Sequence, residues 1–169
     1  MPQRSTDFAT PTPAEPDRGP GVRVPPPLIF LVGFALSAAL TALWPLAEPW
    51  RHGTWRVPLA ILFTAHGLGL AILAIATFRR VGTAVLPDHP ANALVTTGIY
   101  ARTRNPIYAG LTLIYLGVAA LTASLWALLI LPVVLTVLSR FVIAREERYL
   151  TRRFPVDYPT YCAEVGRWI

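Results

Sequence analysis

Four long apolar runs, separated by polar stretches that carry most of the charge, set the pattern of this chain. They cover residues 28–47, 57–78, 107–123 and 124–144. Each approaches the ~20 residues a helix needs to cross the ~30 Å of hydrocarbon in a bilayer. The third run is short and meets the fourth at Ala123 and Ser124 with almost no loop, which predicts a tight helical hairpin whose first arm is near the lower limit for a full crossing. Pro58 falls in a first helical turn, where its missing N–H costs little, whereas Pro132 lies inside the fourth run and is expected to kink it. No repeat at a fixed period appears, and no pair of alternating runs bounded by turn residues suggests a sheet. The pattern predicts an all-α integral membrane protein of about four transmembrane helices.

Residues 1–27 read differently. Eight prolines fall there among small and charged residues, and so little apolar surface cannot offset the entropy of ordering. The stretch is expected to be a disordered tail preceding one membrane domain over 28–169. A cleaved secretory leader fits poorly, because the first apolar run starts only at Leu28 and is long, so it is expected to remain as an anchor.

Composition supports the membrane reading. Of 169 residues 54% are hydrophobic and 14% charged, and mean hydropathy is +0.49. All fifteen basic residues are arginine, and against nine acids they leave a net charge of +6. These arginines border the apolar runs instead of forming a separate patch, which suits anionic membrane lipids and argues against a nucleic-acid partner. The single cysteine, Cys162, excludes an internal disulfide, and with no Cys/His group near it gives no sign of a metal site.

The arginines also predict an orientation. Arg79, Arg80, Arg102 and Arg104 occupy the 79–106 segment, and Arg145, Arg148, Arg152, Arg153 and Arg167 follow the last run, while only Arg51 and Arg56 lie between the first two. The positive-inside tendency places both termini and residues 79–106 in the cytoplasm of a bacterial-type inner or plasma membrane. Trp44, Trp50, Trp55 and Trp126 then fall at the opposite interface as an aromatic belt.

The chemistry is expected in the two cytoplasmic segments, 79–106 and 145–169. Asn105 precedes a proline and is pushed out of the helical region, so the third helix should begin at Pro106 with Asn105 as its N-cap. Arg104 and Asn105 then sit beside unpaired N–H groups that can hold an anion, and Tyr108 in the first turn faces much the same way. Beyond the fourth run, helical spacing puts Glu147 on the stripe of Ile143, Leu150 and Phe154, and Glu146 on that of Val142, Tyr149 and Arg153. The bland reading is a cap with anchoring arginines, and acids that simply pair with Arg104, Arg145 or Arg148. Convergence favours a site, because a fourth helix returning to the side where the third began brings Glu146 and Glu147 toward Arg104 and Asn105.

These residues resemble a known family. The stretch T-T-G-I-Y-A-R-T-R-N-P-I-Y-A-G, followed some forty residues later by R-E-E-R-Y and a closing D-Y-P-T-Y, is similar to the isoprenylcysteine carboxyl methyltransferases, which belong with the membrane phospholipid methyltransferases. The resemblance covers about residues 78 to 169 and implies methyl transfer from S-adenosylmethionine to a lipophilic small molecule or lipidated substrate. It implies cofactor contacts from Leu94, Val95, Tyr100, Arg104, Asn105, Pro106, Tyr108, Glu146, Glu147, Tyr158 and Tyr161. Arg104, Asn105 and Glu147 are the residues it sets nearest the catalytic step, and His89 matches only loosely.

The side chains agree with that cofactor, which carries a carboxylate, an ammonium, a sulfonium and a flat adenine. Arg104 can bind the carboxylate as a fork, and Glu146 or Glu147 can take the ammonium. An acid pressed against the sulfonium would stabilise the ground state more than the transition state, so the acids belong at the amino-acid end. Two positions depart from the family pattern: Asn105 replaces a common histidine and cannot act as a base near neutral pH, and Pro155 replaces the usual glycine after the phenylalanine. His66 in the second run reads equally as a functional intramembrane group and as a hydrogen-bonded packing residue, Cys162 as packed, and Trp168 as an interface anchor. Two other classes compete. A membrane reductase using NADPH shares part of the motif but needs more spans, and a non-catalytic lipid- or partner-binding module needs only the arginine borders.

Overall fold

The computed structural model describes residues 19–22, 24–48, 51–82 and 91–168, and among them every regular element is helical. Most of the Pro-rich tail, Trp50 of the expected belt and His89 lie outside the described residues. Helix α1 runs over Pro26–Leu43, α2 over Arg56–Val81, α3 over Pro106–Thr122 and α4 over Leu125–Leu138. A π-helical turn at Ser139–Ile143 joins α4 to α5, Ala144–Arg153, and α6 covers Asp157–Glu164. Three continuous helices, Pro26–Leu43, Arg56–Val81 and Leu125–Arg153, are long and apolar enough to cross a membrane, with mean hydropathies of 2.0, 2.2 and 2.4. The last is longer than the apolar run behind it, because α4 passes through the π turn into the charged α5 without a break.

Local chemistry sets the ends. Prolines open α1 and α3, where φ is already helical and no N–H is missed. The α1 start falls inside the stretch assigned to the tail, and just before it Val22 is buried against the core. Helix α2 closes on Gly82, whose φ of 71° is the left-handed geometry of a C-cap, with Arg79 and Arg80 in its last turn where they complement the helix dipole. Ala123 takes the same geometry at φ 53°, and Ser124 then caps α4 by accepting from the Ala127 N–H at 3.3 Å. The α3–α4 turn is therefore as tight as the sequence predicts.

The arms of that hairpin part from each other. Helix α3 lies along α2, and α4 along α1. Small residues explain the first pairing: a Cβ on Gly67 would stand 2.5 Å from the Gly110 carbonyl, so the two backbones touch. On its other side α3 presents Tyr115 edge-on to Phe34, and the Tyr115 hydroxyl donates to the Ala127 carbonyl at 3.0 Å. Arg56 fastens the far end of the α2–α3 pair by donating to the Ala120 and Leu121 carbonyls. At the same end Trp126 Nε1 donates to the Trp44 carbonyl, while Trp44 and Trp55 are exposed. The start of α3, the end of α2 and α5 consequently gather at the opposite end, where the polar side chains are.

His66 is exposed on α2, and its Nδ1 hydrogen-bonds the Leu62 carbonyl one turn earlier. It stays a surface residue of that helix and takes no part in the polar end.

Candidate functional site

At the polar end a single cleft gathers side chains from five segments. Residues 91–105 bring one wall through a 3₁₀ turn at Gly98–Ala101, α3 brings its first turn, α5 its two acids, α6 its tyrosines, and α2 its last aromatic residue, Phe78. The cleft is open at its mouth and encloses about 150 Å³. Leu94, Val95, Tyr100, Arg104, Asn105, Pro106, Tyr108, Glu146, Glu147, Tyr158 and Tyr161 all line it. Each position singled out on family grounds, apart from His89, is therefore found in one place. Cleft residues without a sequence signal are Phe78, Ile107, Ile143, Tyr149 and Leu150, whose apolar bodies read as ordinary span or helix residues. Pro20 also reaches it.

Hydrogen bonds between tyrosine hydroxyls and the backbone hold the walls. The Tyr161 hydroxyl donates to the Tyr100 carbonyl at 2.6 Å, fixing α6 to the 3₁₀ turn. Tyr100 stands edge-on to Phe78 with ring centres 5.1 Å apart, which ties that turn to α2. The Ala91 N–H donates to the Tyr149 hydroxyl at 2.9 Å, joining the loop to α5. Pro155 lies in the turn between α5 and α6, and Tyr158 beyond it is still buried in the wall, so the departure from the usual glycine leaves the aromatic pair in place.

Asn105 corrects one expectation. It occupies the N-cap position of α3, and its carbonyl accepts from the Ala109 N–H at 3.0 Å, but its side chain makes no capping bond. Its Nδ2 donates instead to the Arg167 carbonyl at 2.9 Å. Thr103 Oγ1 donates to the same carbonyl at 3.3 Å, and the Arg104 N–H donates to the Gly166 carbonyl at 3.0 Å. Residues 165–168 thus form a strap across the 103–105 corner, a feature with no clear mark in the sequence.

The charged groups are arranged unequally. Glu147 accepts from Arg104 Nη1 at 3.2 Å and from Arg167 Nε at 2.9 Å on Oε1, and from Arg167 Nη2 at 2.5 Å on Oε2. Arg104 Nη1 also donates to the Cys162 thiol at 2.8 Å, whereas Arg104 Nε is buried with no hydrogen-bond partner. Burial works against the Arg104 charge, but Tyr158, Cys162 and Glu147 outweigh it and hold its proton more firmly than usual. Among the described residues no arginine pairs with Glu146. Its Oε1 accepts the Tyr108 hydroxyl at 2.6 Å, and the residue lines the cleft. Glu146 lies beyond the apolar run that ends at Ala144, and burial pushes its carboxyl up to about 7, against the pull of the Tyr108 hydrogen bond. Burial also raises Tyr161, to about 12, and takes Tyr100 and Tyr158 higher, so all three rings stay neutral and serve as hydrogen-bonding aromatic wall.

Three helices long and apolar enough to cross a membrane, with a cleft at their polar end lined by arginine, carboxylate and aromatic side chains, define the class: an all-α protein of the membrane. The chain is a member of the phospholipid methyltransferase family, whose model matches residues 55–156. It is 34% identical over 104 residues to the cobalt-zinc-cadmium resistance protein CzcN of Cupriavidus metallidurans, a match covering 61% of this chain and 46% of that protein. It is 28% identical over 123 residues to the nickel-cobalt-cadmium resistance protein NccN of Alcaligenes xylosoxydans xylosoxydans, covering 62% of this chain and 58% of that one. The chain spans about half the length of the curated relatives it matches. No solved structure matches it. Tyr158, Tyr161 and the 165–168 strap lie beyond the matched stretch; the geometry alone puts the two tyrosines in the wall and the strap across the 103–105 corner.

Proposed function

We propose that this chain is a membrane methyltransferase that binds S-adenosylmethionine in the cleft and passes its methyl group to a lipophilic acceptor entering from the bilayer. The observation that carries this reading is the gathering of Arg104, Glu146 and the aromatic walls into one cleft at the end of an apolar bundle. The residues fit the cofactor: the buried, unpartnered Nε of Arg104 is a cationic donor awaiting an anion, and its natural partner is the cofactor carboxylate. Glu147 has both oxygens held by arginines, so the ammonium falls to Glu146, whose partner among the described residues is the neutral Tyr108 hydroxyl. Leu94, Val95 and Phe78 offer apolar surface to the adenine. When bound, the cofactor supplies an activated methyl group on a sulfonium.

The chain's own contribution is alignment and exclusion of water. Phe78, Ile107 and Ile143 line the cleft as apolar side chains from α2, α3 and the π turn, a route by which an acceptor can arrive without leaving hydrocarbon. Asn105 is committed to the strap and holds no proton to exchange, which favours an acceptor that is already an anion, such as a carboxylate or thiolate, although a lipid amine is a third class to test. In this reading α3, ~26 Å long by helical rise, crosses with the three longer helices, and the polar end faces the cytoplasm. The names of the two relatives speak of metal resistance, but among the described residues no group of three His, Cys, Asp or Glu side chains converges, so they provide no ligand set to carry over.

Isothermal titration of the detergent-solubilised full chain with S-adenosylmethionine tests the reading. Micromolar binding that is lost in Arg104→Ala supports it. Binding of NADPH in its place would point to a reductase, and binding of neither to a non-catalytic module.

A further inference from the structure

Glu147 is a carboxylate shared by two guanidiniums, and the sharing is uneven. Arg167 holds it as a fork, through Nε to Oε1 at 2.9 Å and Nη2 to Oε2 at 2.5 Å, whereas Arg104 reaches it through Nη1 alone at 3.2 Å. Planar two-point pairing of this kind is the stronger form of the arginine–carboxylate contact. Arg167 does not arrive there by chance of a flexible side chain. Its carbonyl is held by Asn105 Nδ2 and Thr103 Oγ1, and the carbonyl before it by the Arg104 N–H, so the strap delivers the second cation next to the first.

The charges leave a remainder. Two arginines face one carboxylate, the neighbouring Glu146 is bonded to Tyr108 and to no arginine among the described residues, and Arg104 keeps a buried Nε without a partner. If Arg167 were absent, Glu147 could turn both oxygens to Arg104 and close a neutral, half-buried pair. The cleft would then have no surplus positive charge.

We propose that Arg167 is a positioning residue that satisfies Glu147 and so keeps Arg104 available to the carboxylate of an amino-acid-bearing ligand. The inference rests on the S-adenosylmethionine reading and adds the reason why the strap is needed. It also predicts a dependence opposite to that of a simple acidic cofactor ligand, because Glu147 competes with the ligand carboxylate for Arg104.

The test compares S-adenosylmethionine with its decarboxylated analogue, which lacks only that carboxylate, by titration into the full solubilised chain. In Arg167→Ala, affinity for S-adenosylmethionine should fall ~10- to 100-fold, the size of a lost charge-assisted hydrogen bond, while affinity for the analogue stays within about threefold. Arg167→Lys, a point charge without the fork, should fall between. The double variant Glu147→Gln/Arg167→Ala, which removes the competitor, should return S-adenosylmethionine binding to within a few-fold of wild type. Unchanged binding in Arg167→Ala, equal loss of both ligands, or no recovery in the double variant overturns the inference. Should Arg167→Ala not fold, Arg167→Lys alone decides: it must weaken S-adenosylmethionine binding while leaving the analogue within about threefold. Wild-type protein that binds neither ligand sinks the cofactor reading itself, an outcome distinct from failure of the strap.

Discussion

Tyr108 donates its hydroxyl to Glu146 Oε1 at 2.6 Å, and this bond joins the first turn of α3 to the first turn of α5. The contact sits where the apolar bundle gives way to the cleft, and a hydrogen bond to a charged acceptor there has a pH signature. Tyr108→Phe keeps the ring and removes the donor, so it should destabilise the protein by about 1.5–3 kcal/mol at pH 8, where Glu146 is ionised. At pH 5, with Glu146 protonated, the loss should be smaller. Melting midpoints of both proteins at the two pH values check this, and an equal loss at each would show that the bond does not discriminate between charge states.

Glu146 itself gives a second prediction. Its carboxyl is raised from 4.5 to about 7 in the folded chain, so the folded state binds more protons than the unfolded one between those values. The contribution of Glu146 to stability should accordingly be full below about pH 4.5, fall as the pH rises through the window, and be lost above 7. The drop is on the order of 3 kcal/mol for a shift of this size. Glu146→Gln should remove this slope while the rest of the pH profile persists. A wild-type melting midpoint that rises between pH 5 and 7 would have the wrong sign and would place the carboxylate in a far more favourable setting.

Much of this arrangement is legible along the chain because its causes are local. Apolar runs of membrane length mark the helices, Pro106 marks the start of α3, and Ala123–Ser124 leaves room only for a sharp reversal. The cleft residues are found together because the motif holding Arg104 and Tyr108 and the pair Glu146–Glu147 sit at helix ends that the hairpin returns to one side. What escapes sequence reading depends on partners far apart in the chain. The side chain of Asn105 carries every mark of a cap, yet it loses that role to a carbonyl of Arg167 more than sixty residues away. No periodicity announces the π turn at Ser139–Ile143, because an apolar run looks the same with or without one wider turn. Nor does the order of apolar runs reveal that α3 prefers α2 to its own hairpin partner. That preference comes from glycine contacts visible only once the helices are paired.

Those contacts make a third prediction. A methyl on Gly67 would meet the Gly110 carbonyl at 2.5 Å and Ile114 at 2.8 Å, so Gly67→Ala must push α3 away from α2. Backbone atoms cannot swing aside as a side chain can, and a loss of about 1–3 kcal/mol is expected for overpacking of this kind. Gly69, on the same helix, has open space where a methyl would stand, with nothing within 4 Å, and Gly69→Ala should be neutral or add up to about 1 kcal/mol through helix propensity. Thermal melting of the two variants in one detergent separates close approach from propensity. Equal effects would mean that the α2–α3 contact is looser than the structure shows.

The last prediction concerns the wall that α6 provides. The Tyr161 hydroxyl meets the Tyr100 carbonyl at 2.6 Å in a buried setting, so what Tyr100 contributes to this bond is backbone, not its side chain. Tyr161→Phe therefore leaves a buried carbonyl without a partner, at a cost of about 1–3 kcal/mol. Tyr100→Phe keeps both that carbonyl and the ring that stands edge-on to Phe78, and the stability of this variant should fall by less. Because the bond is what fastens α6 to the 3₁₀ turn, Tyr161→Phe should also quicken amide hydrogen exchange over residues 157–165, while Tyr100→Phe leaves exchange there near its wild-type rate. Faster exchange in α6 from Tyr100→Phe, with none from Tyr161→Phe, would mean that the Tyr100 hydroxyl, and not this hydrogen bond, anchors the helix.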